Sequence, residues 1–242
     1  MPIGVICNVL SVIIGGVLGG LIGHKLPKRL TEGLTLIFSI CAMGMGVSSL
    51  QLMENMPPVI LAVVLGTGIG LLIHLGDAIT KGGRLMQRTI AKIIPARSTG
   101  LSEEEFLSML LTIIVLFCAS GTGIYGSLDS GMSGDQTILI SKSILDLFTA
   151  MIFAINLGYV VSVIAIPQTV IFLALFYAAR LILPLTTPTM INDFKACGGF
   201  LLLATSFRMM KVKVFPLADM IPAMILVMPF SWMWTNWIMP LL

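Results

Sequence analysis

Residues 106–157 read FLSMLLTIIVLFCASGTGIYGSLDSGMSGDQTILISKSILDLFTAMIFAINL. The first part, Phe106–Ala119, is apolar enough to be a membrane helix. At 1.5 Å per residue, however, it spans only about 21 Å, short of the roughly 30 Å hydrocarbon core. The glycine-rich continuation from Ser120 to Gly126 therefore falls at membrane depth. Glycine weakens a helix, and unwound backbone inside a bilayer is tolerated only where protein buries it or water lines it. The expectation is a span broken at this point, with backbone groups of Gly121 and Gly123 and hydroxyls of Ser120, Thr122, Tyr125 and Ser127 available to an ion or small polar solute. The competing reading is a kinked packing helix followed by a Gly/Asp turn. Gly121, Gly123 and Gly126 also satisfy G-x-G-x-x-G, but no strand-turn-helix unit surrounds them, so a dinucleotide site is rejected.

The second part of the stretch carries charge. Lys142 and Asp146 are four residues apart on one helix face, and Thr149, Phe153 and Asn156 continue that stripe. Charges within a span are costly unless paired or hydrated, and they mark transport pathways. Lys142 is expected to reach toward the outer interface, leaving Asp146 as the deeper charge, either a carrier or one half of a static bridge. Arg180, in the next apolar run, needs an acidic partner, for which Asp193 and Asp146 are candidates, or water or an anionic substrate. Asn8, Gln168 and Asn192 are further polar groups of the same space or of helix ends. The candidate ion- or substrate-binding set is therefore Ser120, Gly121, Thr122, Gly123, Tyr125, Lys142, Asp146, Asn156 and Arg180.

Working outward, the 242-residue chain is 57% hydrophobic and only 10% charged, with a mean hydropathy of +1.05. Soluble domains carry about a quarter charged residues, so the lipid bilayer is the implied solvent. A net charge of only +3 disfavours a nucleic-acid module. Cys7, Cys41, Cys118 and Cys197 have no metal or redox spacing, and no zinc cluster or cofactor motif is present. Apolar runs delimit about eight transmembrane helices, near residues 4–24, 32–51, 57–76, 107–127, 139–164, 166–185, 194–210 and 217–239. A seven-span arrangement is the rival. Of 14 basic residues, eleven fall in the connections after spans 1, 3 and 7, which places those connections in the cytoplasm and both termini in the periplasm. The opposite, outer connections hold Glu54, then Asp129 and Asp135, then Asp193 and Lys195.

Residues 76–105 form the one substantial cytoplasmic basic loop. Within it, residues 77–94 have the period of an amphipathic helix, with Ile79, Leu85, Met86, Ile90 and Ile93 on one side. Ser102 followed by Glu103–Glu105 reads as a capping box. His24 and His74 fall at the cytoplasmic edge. Trp232, Trp234 and Trp237 form an aromatic girdle. The polar-start, helix, proline-turn, helix plan recurs, suggesting inverted repeats of spans 1–3 and 4–6. Gly15, Gly19 and Gly23, with Gly16 and Gly20, make a small-residue groove for close helix packing, within the chain or in a homodimer.

The runs at 117–135, 142–158, 183–194 (LPLTTPTMINDF) and 198–209 (GGFLLLATSFRM), with the opening Asn8-to-Gly20 glycine pattern and Leu26-Pro27, closely resemble YqgA-type bacterial inner-membrane proteins. This is a domain-of-unknown-function family that also includes YdfK-like members. The resemblance covers essentially the whole chain. It implies the bacterial inner membrane and a transport role, and carries over no catalytic or ligand residue. The expectation is a single integral membrane domain over residues 1–242, all-α and polytopic. It acts as a transporter or channel for a small ion or polar metabolite, with its site between the broken span 4 and span 5. The alternative is a non-transporting scaffold or sensor subunit. An enzyme is not expected: it would need a Ser141/Lys142 or Ser120/Lys142 pairing, adjacent Ser141 and Lys142 project about 100° apart on a helix, and no Asp/His pair supports a protease.

Overall fold

The computed structural model describes residues 1–22, 28–93, 102–210 and 212–241, and every regular element among them is helical. His24, Lys25, Arg97 and Lys211 lie outside the described residues, as do the side chains of Glu103, Glu104 and Glu105. The elements are α1 (Ile3–Ile22), α2 (Lys28–Leu50), α3 (Met56–Leu72), α4 (Leu75–Ile93), α5 (Glu103–Cys118), α6 (Gly121–Met132), α7 (Thr137–Leu157), α8 (Val160–Val163), α9 (Ala165–Ile182), α10 (Pro188–Met209) and α11 (Ile221–Met233). A π-turn over Trp234–Ile238 continues α11. Proline sets several starts, where a missing N–H costs nothing: Pro57 and Pro58 open α3, and Pro188 opens α10 behind Thr187, whose hydroxyl accepts from the Met190 N–H at 3.3 Å. Helix α7 ends at Gly158, which adopts φ +66° and donates to the Ala154 carbonyl.

Five of these helical stretches are long and apolar enough to cross a membrane: Ile3–Leu21, Glu32–Leu50, Met109–Met132, Thr137–Leu157 and Val160–Leu185. The pair Met56–Leu72 and Leu75–Lys92, bent by 60°, makes a sixth if counted as one span. This is fewer than the eight apolar runs, for local reasons. Helix α3 has 17 residues, α11 has 13 before the π-turn, and α10 carries Asp193, Lys195 and Arg208. Large apolar side chains on the outer faces of α1, α2 and α3, among them Leu10, Ile37 and Val64, are exposed and suit contact with lipid.

Close backbone approaches fix how the helices run. Along α1 and α7, Gly4 meets Leu139, Gly15 meets Leu147 and Gly19 meets Met151, so these two helices are parallel. A Cβ on Gly15 or Gly19 would stand 2.2 Å from the Leu147 or Met151 carbonyl oxygen. Gly15 and Gly19 are thus covered within the chain by α7, and Gly16 and Gly20 by Ser162 and Tyr159, whereas Gly23 lies outside the described residues. Helices α6 and α9 are also parallel, with Gly123 against Phe172 and Gly131 against Phe176. Helices α2 and α10 are antiparallel (Gly46 to Leu203, Leu50 to Gly199), as are α3 and α11 (Gly66 to Ala223, Gly70 to Asp219).

The basic segment after α3 is the helix α4, packed antiparallel on α5. Gly83 lies against Leu111, and the Gln87 amide donates to the Leu107 carbonyl. Its buried stripe is Gly83, Gln87 and Ile90, with Met86 half-buried, whereas Leu85 is 69% exposed and does not belong to the packed side as its spacing suggested. Besides a small apolar cluster of Val5, Leu139 and Phe172, two large ones result. One joins α3, α6, α10 and α11 around Tyr125, Phe194, Leu201 and Val227; the other joins α1, α5, α7 and the start of α9 around Phe106, Phe117, Leu157 and Val161.

Candidate functional site

The break in span 4 is real but tighter than the glycine content suggests. Helix α5 stops at Cys118, and α6 restarts at Gly121 with Ser120 as its extended N-cap, φ −72° and ψ 142°. The Ser120 hydroxyl accepts from the Gly123 N–H at 3.1 Å, and its carbonyl from the Ile124 N–H at 3.0 Å. The segment from Gly121 onward is thus helical, correcting the expectation of an unwound loop to Gly126. A serine cap, with burial against Phe172 and Leu139, offsets the weak propensity of glycine. Only Ala119 and Ser120 remain outside the two helices. The N–H groups of Gly121 and Thr122 are left without intrahelical acceptors at the break.

Facing this break is the charged stripe of α7. Lys142 is 3% exposed and Asp146 7% exposed, and the Lys142 ammonium bonds to Asp146 Oδ2. Lys142 does not reach outward to the interface. Its Nζ stays inside, 5.8 Å from the centre of the Phe117 ring. Two residues distant in sequence complete the pair. Asn8 Nδ2 donates to Asp146 Oδ2 at 2.9 Å, and Gln168 Nε2 donates to Asn8 Oδ1 at 2.7 Å. Both Asn8 and Gln168 are fully buried, and Gln168 Oε1 has no donor among the described residues. A polar chain thus runs from α9 through α1 to α7. Asp146 is the tenth residue of α7, about 14 Å along a helix of about 31 Å, and so stands near mid-depth.

Two adjoining cavities meet at the break. The smaller, about 40 Å³, is lined by Ala42, Ser120, Thr122, Lys142, Asp146, Thr149 and Thr205, among others. The larger, about 270 Å³, shares Leu116, Ser120, Thr149 and Thr205 with it and extends to Arg208 and Leu217. Ser120, Thr122, Lys142 and Asp146 are therefore brought together, with Gly121 and Gly123 in the adjoining first turn of α6.

The remaining predicted site residues lie elsewhere. Tyr125 is buried on another side of α6, against Gly198 and Phe194, with its hydroxyl 3.5 Å from that of Ser49. Asn156 is exposed, since the helical stripe has rotated outward by that turn. Arg180 is exposed with its guanidinium 5.7 Å from the Phe176 ring centre, and it meets neither Asp193 nor Asp146. Asn192 donates to Glu54 at 2.6 Å, away from the cavity. His74 is exposed, 3.6 Å from Asp77. Trp232 and Trp237 are exposed and pack edge to face.

Sequence reasoning placed Asp129 and Asp135 in an outer loop. Asp129 is instead 1% exposed within α6. Lys195 Nζ lies 3.3 Å from Asp129 and 3.2 Å from Asp135. The spacing of Asp129 to Ser133, whose hydroxyl donates to that carboxylate at 2.7 Å, was the available signal.

Residues 3–232 match the family described as Protein of unknown function (DUF554). The chain is 47% identical over 241 residues to the uncharacterized protein YqgA of Escherichia coli (strain K12), covering 98% of this chain and 99% of that one. It is 22% identical over 225 residues to the uncharacterized membrane protein YdfK of Bacillus subtilis (strain 168), covering 92% and 93%. No solved structure matches it.

Proposed function

We propose that this chain, which belongs to the DUF554 family of proteins of unknown function, is a transporter or channel of the bacterial inner membrane for a small ion or polar metabolite. The observation that carries the reading is the cavity at the α5–α6 break, where Ser120 and Thr122 face the buried Lys142–Asp146 pair at mid-depth. Removing two charges from water is expensive, and a pair retained there is either structural or used. Contact with a cavity that widens to about 270 Å³ toward Arg208 favours use.

In this reading the solute meets the first turn of α6 and the Lys142–Asp146 pair, and Asn8 with Gln168 holds the pair in register until the solute displaces it. The chain carries out no covalent step. The relative directions of α1 and α7, α6 and α9, α2 and α10, and α3 and α11 are those that eight alternating crossings require, and the eleven basic residues of the connections after spans 1, 3 and 7 favour having those connections inside and the termini in the periplasm. A homodimer also belongs to the reading. Because α7, Tyr159 and α8 already cover Gly15, Gly16, Gly19 and Gly20, its contact falls on another surface.

The test is flux from proteoliposomes across a panel of ions, amino acids and organic acids, comparing the wild type with Asp146→Asn. The expected result is flux well above empty liposomes that the substitution reduces at least about tenfold. Unchanged flux removes Asp146 from the mechanism. No flux for any solute, with a partner protein copurifying, favours the scaffold reading.

A further inference from the structure

We infer that the site at the break selects a small monovalent anion, a halide or a short carboxylate; this rests on the transport reading and names its substrate class. Three observations point the same way. First, the break aims the start of α6, a helix of 12 residues, into the smaller cavity, where a positive helix end and unmatched N–H groups favour negative charge. Second, Thr122 lines that cavity, is only 5% exposed, and its hydroxyl has no hydrogen-bond partner among the described residues. A buried side chain whose hydroxyl has no protein partner and borders a cavity marks a place where a ligand can complete the bonding.

Third, the side chains around the two cavities count toward an anion. Their charged groups are Lys142, Asp146 and Arg208, a balance of +1. Asp146 Oδ2 already accepts from both Asn8 and Lys142, so the charge of the one carboxylate is matched by the Lys142 ammonium and only its Oδ1 is left without a bond among the described residues. The Lys142 ammonium has three protons, and beyond the one spent on Asp146 it has donors for a ligand. Arg208, exposed and bordering the larger cavity, supplies a positive entrance. The C-terminus of α5 also ends at the break, and its free carbonyls favour a cation. That partial charge is opposed by two full cations, and a metal ion beside Asp146 would stand against the Lys142 ammonium. At about 40 Å³ the inner cavity takes roughly one or two water-sized groups, which suits chloride or formate and excludes larger metabolites from the inner position.

Two measurements on the purified full chain test this. Thermal unfolding in detergent is compared in sodium chloride, sodium formate, choline chloride and sodium gluconate at equal ionic strength. Chloride or formate should raise Tm by at least about 2 °C over gluconate, whatever the cation. Thr122→Val should abolish the rise without changing Tm in gluconate, because the valine keeps the shape and the lost hydroxyl bonds to nothing. In proteoliposomes, anion efflux should exceed that of empty liposomes, and Arg208→Gln should slow it about threefold. Stabilisation that follows sodium, or currents whose sign follows the cation gradient, overturns the anion assignment and leaves transport standing. Chloride or formate stabilisation without flux of any solute overturns transport and leaves the binding site standing. Neither stabilisation nor flux overturns both.

Discussion

Asn8 and Asp146 lie 138 residues apart in the chain, and the amide of the first donates to the carboxylate of the second at 2.9 Å. The bond joins α1 to α7 at the level of the Lys142 pair, and Gln168 binds Asn8 in turn. All four groups are buried. The truncation Asn8→Ala should therefore leave Asp146 short of a donor and Gln168 short of an acceptor, and lower stability by ~1–3 kcal/mol. Asn8→Asp should do worse, because it sets a second carboxylate against the first. Thermal unfolding in detergent checks both; a neutral Asn8→Asp would mean the contact does not bear on stability.

The parallel packing of α1 on α7 rests on close backbone approach rather than on side-chain interlocking. A methyl on Gly15 would sit 2.2 Å from the Leu147 carbonyl oxygen, and Ala150 stands on the same side at 2.9 Å. Gly15→Ala and Gly19→Ala should each cost ~1–3 kcal/mol through forced separation of the helices. Gly44→Ala and Gly68→Ala, where nothing lies within 4 Å, should be neutral or stabilise by up to about 1 kcal/mol. Similar losses at all four positions would show that helix propensity, not approach distance, governs this fold.

These two contacts mark the boundary of what the sequence reveals. The apolar runs, the amphipathic α4 and the break after Ala119 all follow from local length and period, and all are present. Helical continuity beyond the break is not local, since Gly123, Gly126 and Gly131 are held helical by Phe172, Leu139 and Phe176 from other elements. Glycine and serine content therefore argued for a loop where tertiary contact makes a helix, and Asp129 was misplaced with it. Lys142 and Asp146 were legible from their four-residue spacing. Asn8 and Gln168 were recognisable as polar groups in spans, but their partner is set by how α1 and α9 pack on α7, which no spacing encodes. Asn156 and Arg180 lie apart from the cavity for the converse reason: an intramembrane polar group near a helix end can face outward, and each does.

Asp193 ties the start of α10 to the α2–α3 connection and to α11. Its Oδ1 accepts from the Glu54 and Asn55 N–H groups, each at 2.9 Å, and its Oδ2 from Asn55 Nδ2 at 3.2 Å and Ser231 Oγ at 2.7 Å. The residue is fully buried, so a neutral replacement cannot recruit water to these donors. Asp193→Ala should cost ~2–4 kcal/mol and Asp193→Asn nearly as much, because the amide turns a donor toward donors. Ser231→Ala, which removes one of four bonds, should cost ~1 kcal/mol. Detergent unfolding of the three variants should reproduce that order, and a Ser231→Ala loss equal to that of Asp193→Ala would refute the assignment of Asp193 as the hub.

Asp135 sits in the short connection between α6 and α7, outside the spans. Partial burial pulls its carboxyl upward, but bonds from the Thr137 backbone and side chain and from Lys195 outweigh this and hold it below the usual carboxylate range. A lowered native value means that Asp135 stabilises the fold above its unfolded pKa, and that this contribution disappears as pH falls below about 4 and passes through the native value. The side chain is 41% exposed, so the effect is modest. Asp135→Asn should therefore lower Tm slightly at pH 7 and flatten the acid side of the Tm–pH curve. Lys195→Met should act differently: it leaves Asp129, 1% exposed, with the Ser133 hydroxyl but no cation, and should cost far more at pH 7. Unfolding followed from pH 3 to pH 7 separates the two. An Asp135→Asn curve parallel to that of the wild type down to pH 3 would show that the carboxylate contributes nothing through its ionisation.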